Sequence, residues 1–148
     1  MFRIIKWLIA LPLGAFIFFN AYVYGNIITY RAVAPNKTAF MAMRMRQFQN
    51  EGKDVALDYR WVPYDRISVN LKKALIASED AKFAEHGGFD WGGIQYAIKR
   101  NKQSGEVKAG GSTISQQLAK NLFLNESRSY IRKGEEAAIT AMMEAVTD

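Results

Sequence analysis

The stretch that decides the fold is GGSTISQQLAKNLFL, at residues 110–124. After two glycines the pattern becomes helical: at about 100° per residue, Thr113, Gln116, Gln117 and Lys120 fall on one stripe. The other stripe is apolar and is expected to pack into a core. Its members are Ile114, Leu118 and Leu122. The pattern therefore predicts an amphipathic helix over 112–124, with a hydroxyl, an amide and an ammonium on its polar face.

The glycines before this helix indicate what the polar face could bind. Free N–H groups at a helix N-terminus attract anions, and Lys120 adds a cation on the same helix. We therefore consider a diphosphate site here, although not a P-loop, because GxxxxGK[ST] is absent. An ordinary amphipathic helix with a Ser or Thr cap would show the same residues, so this alternative stays open.

Helical spacing continues along most of the chain after residue 30. It predicts further helices at 38–49, 68–80, 91–103 and 127–146. Thr38 and Ser68 stand where N-caps are expected. The apolar face of the helix at 68–80 consists of Ile67, Leu71, Ala74 and Leu75. Residues 59–62 favour at most a short strand, 104–111 form a Gly-rich loop, and this region is predicted to be mainly α.

The N-terminus predicts a membrane anchor. Residues 7–24 contain eighteen positions without a formal charge, and a helix of that length spans about 27 Å, close to the hydrocarbon thickness of a bilayer. Arg3 and Lys6 precede it, which predicts a cytoplasmic N-terminus. A cleaved signal peptide would need a small-x-small site that is not evident here, and a buried core helix is the other alternative.

The composition excludes several classes of function. The chain has 148 residues, 49% of them hydrophobic, which argues against a disordered chain. It has no Cys and a single His, His86, so thiolate chemistry and two-histidine metal sites are excluded. The net charge of +6 suits an anionic partner, but no dense basic run indicates nucleic acid.

Two more groups of residues could carry chemistry. Glu79 and Asp80 form a carboxylate pair at a predicted helix end, close to Phe83 and His86, and one of the pair could act as a general base. Further along, the i,i+4 pair of Arg132 and Glu136 could face a cleft. A solvated helix end and an exposed ion pair are the plainer interpretations of the same residues.

Taken together, the stretches EDAKFAEHGGFDWGG (79–93), GGSTISQQLAKNLFL (110–124) and RKGEEA (132–137) resemble the family-51 peptidoglycan glycosyltransferases. The resemblance is closest to the monofunctional biosynthetic transglycosylases of Gram-negative bacteria, and it runs from about Trp61 to the last residue. Ser115 stands where the family commonly has Thr. The family's domain continues beyond Asp148, so we expect this chain to be C-terminally truncated, and its activity as given is in doubt.

The resemblance implies a lysozyme-like glycosyltransferase fold behind one transmembrane helix. It implies polymerisation of lipid II into β-1,4 glycan strands with inversion and release of undecaprenyl diphosphate. Glu79 would be the catalytic base and Glu136 a second important carboxylate. The residues that would bind the substrate and its diphosphate are Asp80, Phe83, His86, Thr113, Gln117, Lys120 and Arg132. No cofactor is expected to be required, although a divalent cation such as Mg²⁺ could bind at Glu136.

The resulting organisation has a cytoplasmic tail at 1–6, a transmembrane anchor at 7–28 and a membrane-proximal segment at 29–66. An incomplete glycosyltransferase domain follows at 67–148. This places a single-pass protein in the inner membrane with its domain in the periplasm. Expected partners are lipid II, the growing glycan, membrane lipid and cell-wall synthesis or division proteins, but no nucleic acid. A lysozyme-like glycan-cleaving enzyme and an inactive membrane-anchored scaffold are the alternatives.

Overall fold

The computed structural model describes residues 2–106 and 110–147, and those residues form six α-helices and no strand. The helices are α1 (Phe2–Tyr30), α2 (Ala39–Asn50), α3 (Val69–Glu79), α4 (Trp91–Ser104), α5 (Ile114–Phe123) and α6 (Tyr130–Thr147). Single 3₁₀ turns lie at Tyr64–Arg66 and Phe83–Glu85. The mainly α prediction is confirmed, and the short strand expected at 59–62 does not form.

Helix α1 contains a 25-residue segment, Lys6–Tyr30, that is long and apolar enough to cross a membrane. Most of its side chains are exposed, as Trp7 and Phe18 illustrate. Its last third is different, because Val23 and Ile27 are buried. Helix α1 therefore combines an unpartnered apolar length with a short stretch that packs into the rest of the chain.

The core lies where α1, α5 and α6 meet. It consists of the buried residues Val23, Ile27, Ala119, Leu124, Ile139 and Met143. Tyr30 at the end of α1 stacks on Phe123 at the end of α5, with ring centroids 6.1 Å apart. Helix α2 packs against α5 from another side. This arrangement holds α5 in the centre of the molecule, so its N-terminus is fixed where the candidate site lies.

The caps explain where several helices begin. The hydroxyl of Thr38 accepts a hydrogen bond from the N–H of Met41 at 3.1 Å, which confirms the predicted cap of α2. Asp90 accepts from the N–H of Gly93 at 2.8 Å and starts α4. Ser68 occupies the cap position of α3, but its side chain makes no capping bond. The preference of these residue types for N-caps accounts for the correct starts.

The predicted core stripe of α5 is wrong, and the apolar residues of α3 are exposed. On α3, Leu71 and Leu75 are exposed, and none of the residues of this helix is buried. On α5 the buried residues are Ser115, Gln116 and Ala119, rather than the stripe of Ile114, Leu118 and Leu122. Gln116, which the spacing placed on the polar face, instead turns inward, where its Oε1 accepts from the N–H of Thr113 and completes the capping box.

Candidate active site

Glu79 is the last residue of α3, and its carboxylate is exposed. Its Oε2 accepts a hydrogen bond from Nε2 of Gln117, on the first turns of α5, at 2.8 Å. The two residues are 38 positions apart in sequence, so the fold brings together two side chains that the sequence predicted for one site. An exposed carboxylate held by a single neutral donor keeps lone pairs free to accept a proton.

Asp80 follows Glu79 but points into the protein, and its side chain is only 4% exposed. The nitrogen Nε2 of His86 lies 3.0 Å from Oδ1 of Asp80, and the N–H of Ile114 donates to Oδ2 at 3.1 Å. The predicted carboxylate pair is therefore divided between two environments. Asp80 joins the loop after α3 to the start of α5, whereas Glu79 faces solvent.

This arrangement corrects the expectation that the N-terminus of α5 is free to bind a diphosphate. Its first N–H, that of Ile114, is bound to Asp80, and the N–H of Gln116 is bound to the hydroxyl of Thr113 at 3.2 Å. A carboxylate from the protein already takes the favourable position for an anion at a helix N-terminus. A diphosphate in this cleft would depend on cationic side chains instead.

Thr113 is buried and works as a structural residue. Its hydroxyl accepts from the N–H of Gln116 and donates to the carbonyl of Gly88 at 2.7 Å. The backbone N–H of Thr113 in turn donates to Oε1 of Gln116 at 3.1 Å, which completes a capping box. Thr113 therefore ties α5 to the loop that contains His86.

Gly88 and Gly111 allow the close approaches in this region. Gly88 has a φ of +77°, and a Cβ atom there would lie 2.7 Å from Cγ of Glu144. A Cβ at Gly111 would lie 3.0 Å from Cα of Ile94 on α4. Glycine is therefore required at position 88 by its left-handed backbone and by space, whereas a side chain at position 111 would push against the backbone of Ile94.

A cleft of about 230 Å³ opens between the end of α3 and the segment before α5. Its walls contain the acids Glu79, Asp80 and Asp90, the cation Lys82, and the stretch from Gly110 to Thr113. The aromatic ring of Phe83 lies beside the cleft loop, where it meets His86 edge-on at 6.3 Å between centroids. The cleft is polar and open, which suits a hydroxylated or charged ligand.

Glu136 on α6 is buried, with only 2% of its surface exposed. Arg132 donates to its Oε2 at 2.6 Å, and Nζ of Lys133 contacts Oε1. Arg132 is itself held by the carbonyl of Ser127 at 2.6 Å. Lys133 also donates to the hydroxyl of Ser112 at 3.1 Å, and Ser112 lines the cleft beside Glu79.

Sequence reasoning missed Lys133 and Ser112, which connect α6 to the cleft. The sequence carried one usable signal for Lys133, since a lysine three positions before a glutamate on a helix can form an i,i+3 pair. Its contact with Ser112 spans 21 positions and could not be read from local spacing. Among residues 2–106 and 110–147, Lys120 makes no ion pair, so its ammonium is available to a ligand.

The surroundings of Glu136 do not fit a protein-held Mg²⁺. Both of its carboxylate oxygens already bind cationic side chains. The described residues also contain no cluster of three or more carboxylate or imidazole side chains with metal-ligand geometry. Mg²⁺ binds proteins through carboxylate oxygens, and both oxygens of Glu136 are taken by cations, so this residue is not placed to hold a metal ion.

The helices place an exposed glutamate at a polar cleft and a buried cation–carboxylate cluster on α6, and comparison with known proteins gives the family of the chain. Residues 44–148 match the Transglycosylase family, so the chain belongs to that family. Its helical architecture is consistent with the lysozyme-like fold expected for such a domain. The family assignment confirms the resemblance inferred from the motifs.

Individual members of this family give a more specific comparison. Over all 148 residues the chain is 88% identical to the "Biosynthetic peptidoglycan transglycosylase" of Neisseria meningitidis serogroup C (strain 053442). It is 87% identical to the protein of the same name from N. meningitidis serogroup A / serotype 4A (strain DSM 15465 / Z2491), and 86% identical to that of Neisseria gonorrhoeae (strain NCCP11945). The chain spans 64% of the length of each of these relatives.

Proposed function

We propose that this chain carries the catalytic base and part of the diphosphate site of a peptidoglycan glycosyltransferase that polymerises lipid II. The single observation that carries the proposal is the contact between Glu79 and Gln117, which sets an exposed carboxylate at the mouth of a polar cleft. The names of the relatives and the family assignment support the reaction class.

Glu79 would act as the general base. It takes the proton from the 4-hydroxyl of the acceptor sugar while that oxygen forms a bond to the anomeric carbon of the donor. The bond from this carbon to the diphosphate breaks, and the lipid diphosphate leaves with the electron pair. Attack from the face opposite the leaving group inverts the configuration and gives a β-1,4 linkage, through a transition state with oxocarbenium character.

The departing diphosphate gains negative charge, so cations placed beside it lower the barrier. Lys120 and Arg132 are proposed for this task, and Lys133 joins them because it reaches Ser112 on the cleft wall. Glu136 holds Arg132 and Lys133 by ion pairs and would orient them, which makes it a positioning residue. Arg132 offers further N–H donors beyond those bound to Glu136 and Ser127, so it can still bind phosphate oxygens.

Asp80, His86 and Thr113 would position the base and its partner. They fix the loop after α3 against the start of α5, and α5 carries Gln117. Phe83, which is 38% exposed, offers an apolar surface beside that loop. These residues therefore act through the geometry of Glu79 rather than through the reacting atoms.

Helix α1 would hold the enzyme at its lipid-linked substrate. We propose an inner-membrane protein with a cytoplasmic N-terminus, because Arg3 and Lys6 precede the apolar segment, and with the cleft on the periplasmic side. Lipid II, the growing glycan and membrane lipid are then its direct partners. Proteins of cell-wall synthesis or division would meet it at the same membrane face.

The test is consumption of lipid II in detergent micelles by a full-length protein that contains this chain, comparing Glu79→Gln with Glu126→Gln. Glu126 is an exposed acid in the loop before α6 and serves as the matched control. General-base catalysis contributes about 10²–10⁴-fold, so Glu79→Gln should lose at least 100-fold while the control keeps the parent rate.

Polymerisation by Glu79→Gln at the parent rate would refute the assignment. A Lys120→Ala variant separates polymerase from hydrolase. Loss of lipid II consumption by this variant supports the diphosphate role of Lys120. If the parent instead cleaves polymeric glycan and consumes no lipid II, and Lys120→Ala leaves that cleavage unchanged, the protein is a lytic enzyme.

A further inference from the structure

Lys82 lines the Glu79 cleft, and the proposed reaction does not use it. Its side chain is exposed, and within residues 2–106 and 110–147 it forms no ion pair and no side-chain hydrogen bond. It is also the only Lys or Arg among the described residues that line this cleft. An ammonium group presented in this way is complementary to an anionic group of a ligand, and lysine binds phosphate as a point charge.

The three acids that line the same cleft do not account for Lys82, because each of them has another partner. Each carboxylate accepts a hydrogen bond from a neutral donor at 2.8–3.1 Å. The donors are Nε2 of Gln117 for Glu79, the N–H of Ile114 for Asp80 and the N–H of Gly93 for Asp90. Lys82 is therefore not the structural counter-ion of these acids.

The backbone around Lys82 is fixed, so its side chain has a defined origin on the cleft wall. The N–H of Phe83 donates to the carbonyl of Asp80 at 2.9 Å, and the N–H of Glu85 donates to the carbonyl of Lys82 at 2.7 Å. The carboxylate of Asp80 is bound in turn to the N–H of Ile114 at the start of α5. Only the rotamers of the Lys82 side chain remain to be ordered when a ligand binds, which limits the entropic cost of binding.

The stereochemistry of the proposed reaction indicates which substrate meets Lys82. Inversion places the attacking oxygen and the leaving diphosphate on opposite faces of the anomeric carbon of the donor. Glu79 has to contact the attacking hydroxyl, so a cation three residues after Glu79 stands with the acceptor. The leaving diphosphate is assigned to cations of α5 and α6, which are Lys120, Arg132 and Lys133.

The acceptor has an anionic group of its own. In the proposed reaction the acceptor lipid II keeps its diphosphate, which lies at the opposite end of the disaccharide from the reacting 4-hydroxyl. Three residues of chain span at most about 10 Å, and the flexible stem of Lys82 extends this reach. Glu79 and Lys82 can therefore contact the two ends of one disaccharide.

We propose that Lys82 binds the diphosphate of the acceptor lipid II. The inference rests on the proposed function and adds a second anion site to it, on the side of the cleft that holds the base. Lys82 takes no part in proton transfer and acts by lowering the KM for the acceptor. Its consequence is specificity, because an acceptor sugar without a diphosphate loses this contact.

The experiment uses a full-length protein that contains this chain, in detergent micelles, with substrates that can play only one role. The donor is lipid II with a methylated 4-hydroxyl. The acceptor is a lipid II analogue in which a CH₂ group replaces the anomeric oxygen, so that its diphosphate cannot leave. A second acceptor has a neutral alkyl glycoside in place of the lipid diphosphate, and a third keeps the diphosphate but lacks the pentapeptide. The kcat and KM of each are measured.

We expect Lys82→Gln to raise the KM for the diphosphate acceptor about tenfold, which corresponds to about 1.4 kcal/mol. The kcat at saturating acceptor and the KM for the donor should stay at the parent values. The KM for the neutral acceptor should be the same for the parent and Lys82→Gln, whereas Lys82→Arg keeps the charge and should preserve the preference for the diphosphate. Lys73→Gln, at an exposed lysine of α3, is the matched control and should behave as the parent.

Four outcomes would overturn the proposal. An equal rise in KM for the diphosphate and neutral acceptors would show that Lys82 acts through Glu79. A rise that disappears when the pentapeptide is removed would assign Lys82 to a peptide carboxylate. A raised KM for the donor would place Lys82 with the cations of the leaving group. Loss of stability of Lys82→Gln in urea unfolding would make Lys82 a structural residue.

Glu79→Gln separates this inference from the proposed function. If Glu79→Gln loses at least about 100-fold while Lys82→Gln behaves as Lys73→Gln with every acceptor, only the acceptor site is wrong. If Glu79→Gln keeps the parent rate, the proposed function fails, and the premise of this inference fails with it.

Discussion

Replacing Asp80 by Asn tests how the candidate site is held together. The carboxylate of Asp80 accepts from the N–H of Ile114 at 3.1 Å, and it lies 3.0 Å from Nε2 of His86. An Asn side chain has one acceptor oxygen, so if that oxygen keeps the bond from Ile114, its NH₂ group faces Nε2 of His86, which can accept only after the ring proton moves to Nδ1, a buried nitrogen without a hydrogen-bond partner. The substitution therefore removes one charge-assisted bond and either opposes two donors or leaves a buried N–H of His86 without a partner.

The cost follows from these contacts. Losing a hydrogen bond to a charged group costs about 1.5–3 kcal/mol, and losing the negative charge at the start of a helix costs about 0.3–1 kcal/mol. We expect the free energy of unfolding to fall by about 2–4 kcal/mol for Asp80→Asn. Asp65→Asn, at an exposed position, should change it by less than about 0.5 kcal/mol.

The assay is urea unfolding of the chain in a mild detergent, followed by Trp fluorescence, for Asp80→Asn, His86→Gln and the double variant. Because Asp80 and His86 are in contact, the double variant should lose at least about 1 kcal/mol less than the sum of the single losses. If Asp80→Asn proved as stable as Asp65→Asn, or if the two losses were additive, the proposed clamp between the loop and α5 would be wrong.

Two further substitutions test the surroundings of the cleft. Gly88→Ala should destabilise the fold by about 1–3 kcal/mol in the same assay, because φ is +77° and the new Cβ would meet Glu144. Gly87→Ala is the control and should be neutral, because there is open space around Gly87. Equal effects of the two substitutions would refute the reasoning. Glu136→Gln should lower lipid II consumption by at least tenfold, because Arg132 and Lys133 lose the buried carboxylate that orients them. An unchanged rate in a normally folded variant would exclude the positioning role of Glu136.

Local patterns predicted the helices well, because caps and periodicity are local. The sequence located all the helices from α2 to α6 to within a few residues, and Thr38 caps as expected. The prediction for residues 107–109 of the Gly-rich loop lies outside the described residues. Burial was predicted less well, because which face of α3 or α5 is covered depends on partners far along the chain.

The site shows the same division. The motifs identified Glu79, Gln117, Arg132 and Glu136 as candidate site residues. In the structure Glu79 is hydrogen-bonded to Gln117, and Arg132 to Glu136. The sequence could not show that Asp80 turns inward and accepts a hydrogen bond from the N–H of Ile114 at the start of α5, because the two residues are 34 positions apart. The roles of the individual site residues stay predictions until the variants above are measured.

The packing of Val23 and Ile27 has a mechanical consequence. Since α1 enters the core as one uninterrupted helix, no flexible tether separates the proposed anchor from the catalytic region. The orientation of the cleft relative to α1 is then fixed by helix register: one residue inserted into α1 just before Val23 would shift the preceding part of the helix by about 1.5 Å and rotate it by about 100° relative to the core. In the proposed membrane protein, this register would set how the cleft faces its lipid-linked substrate.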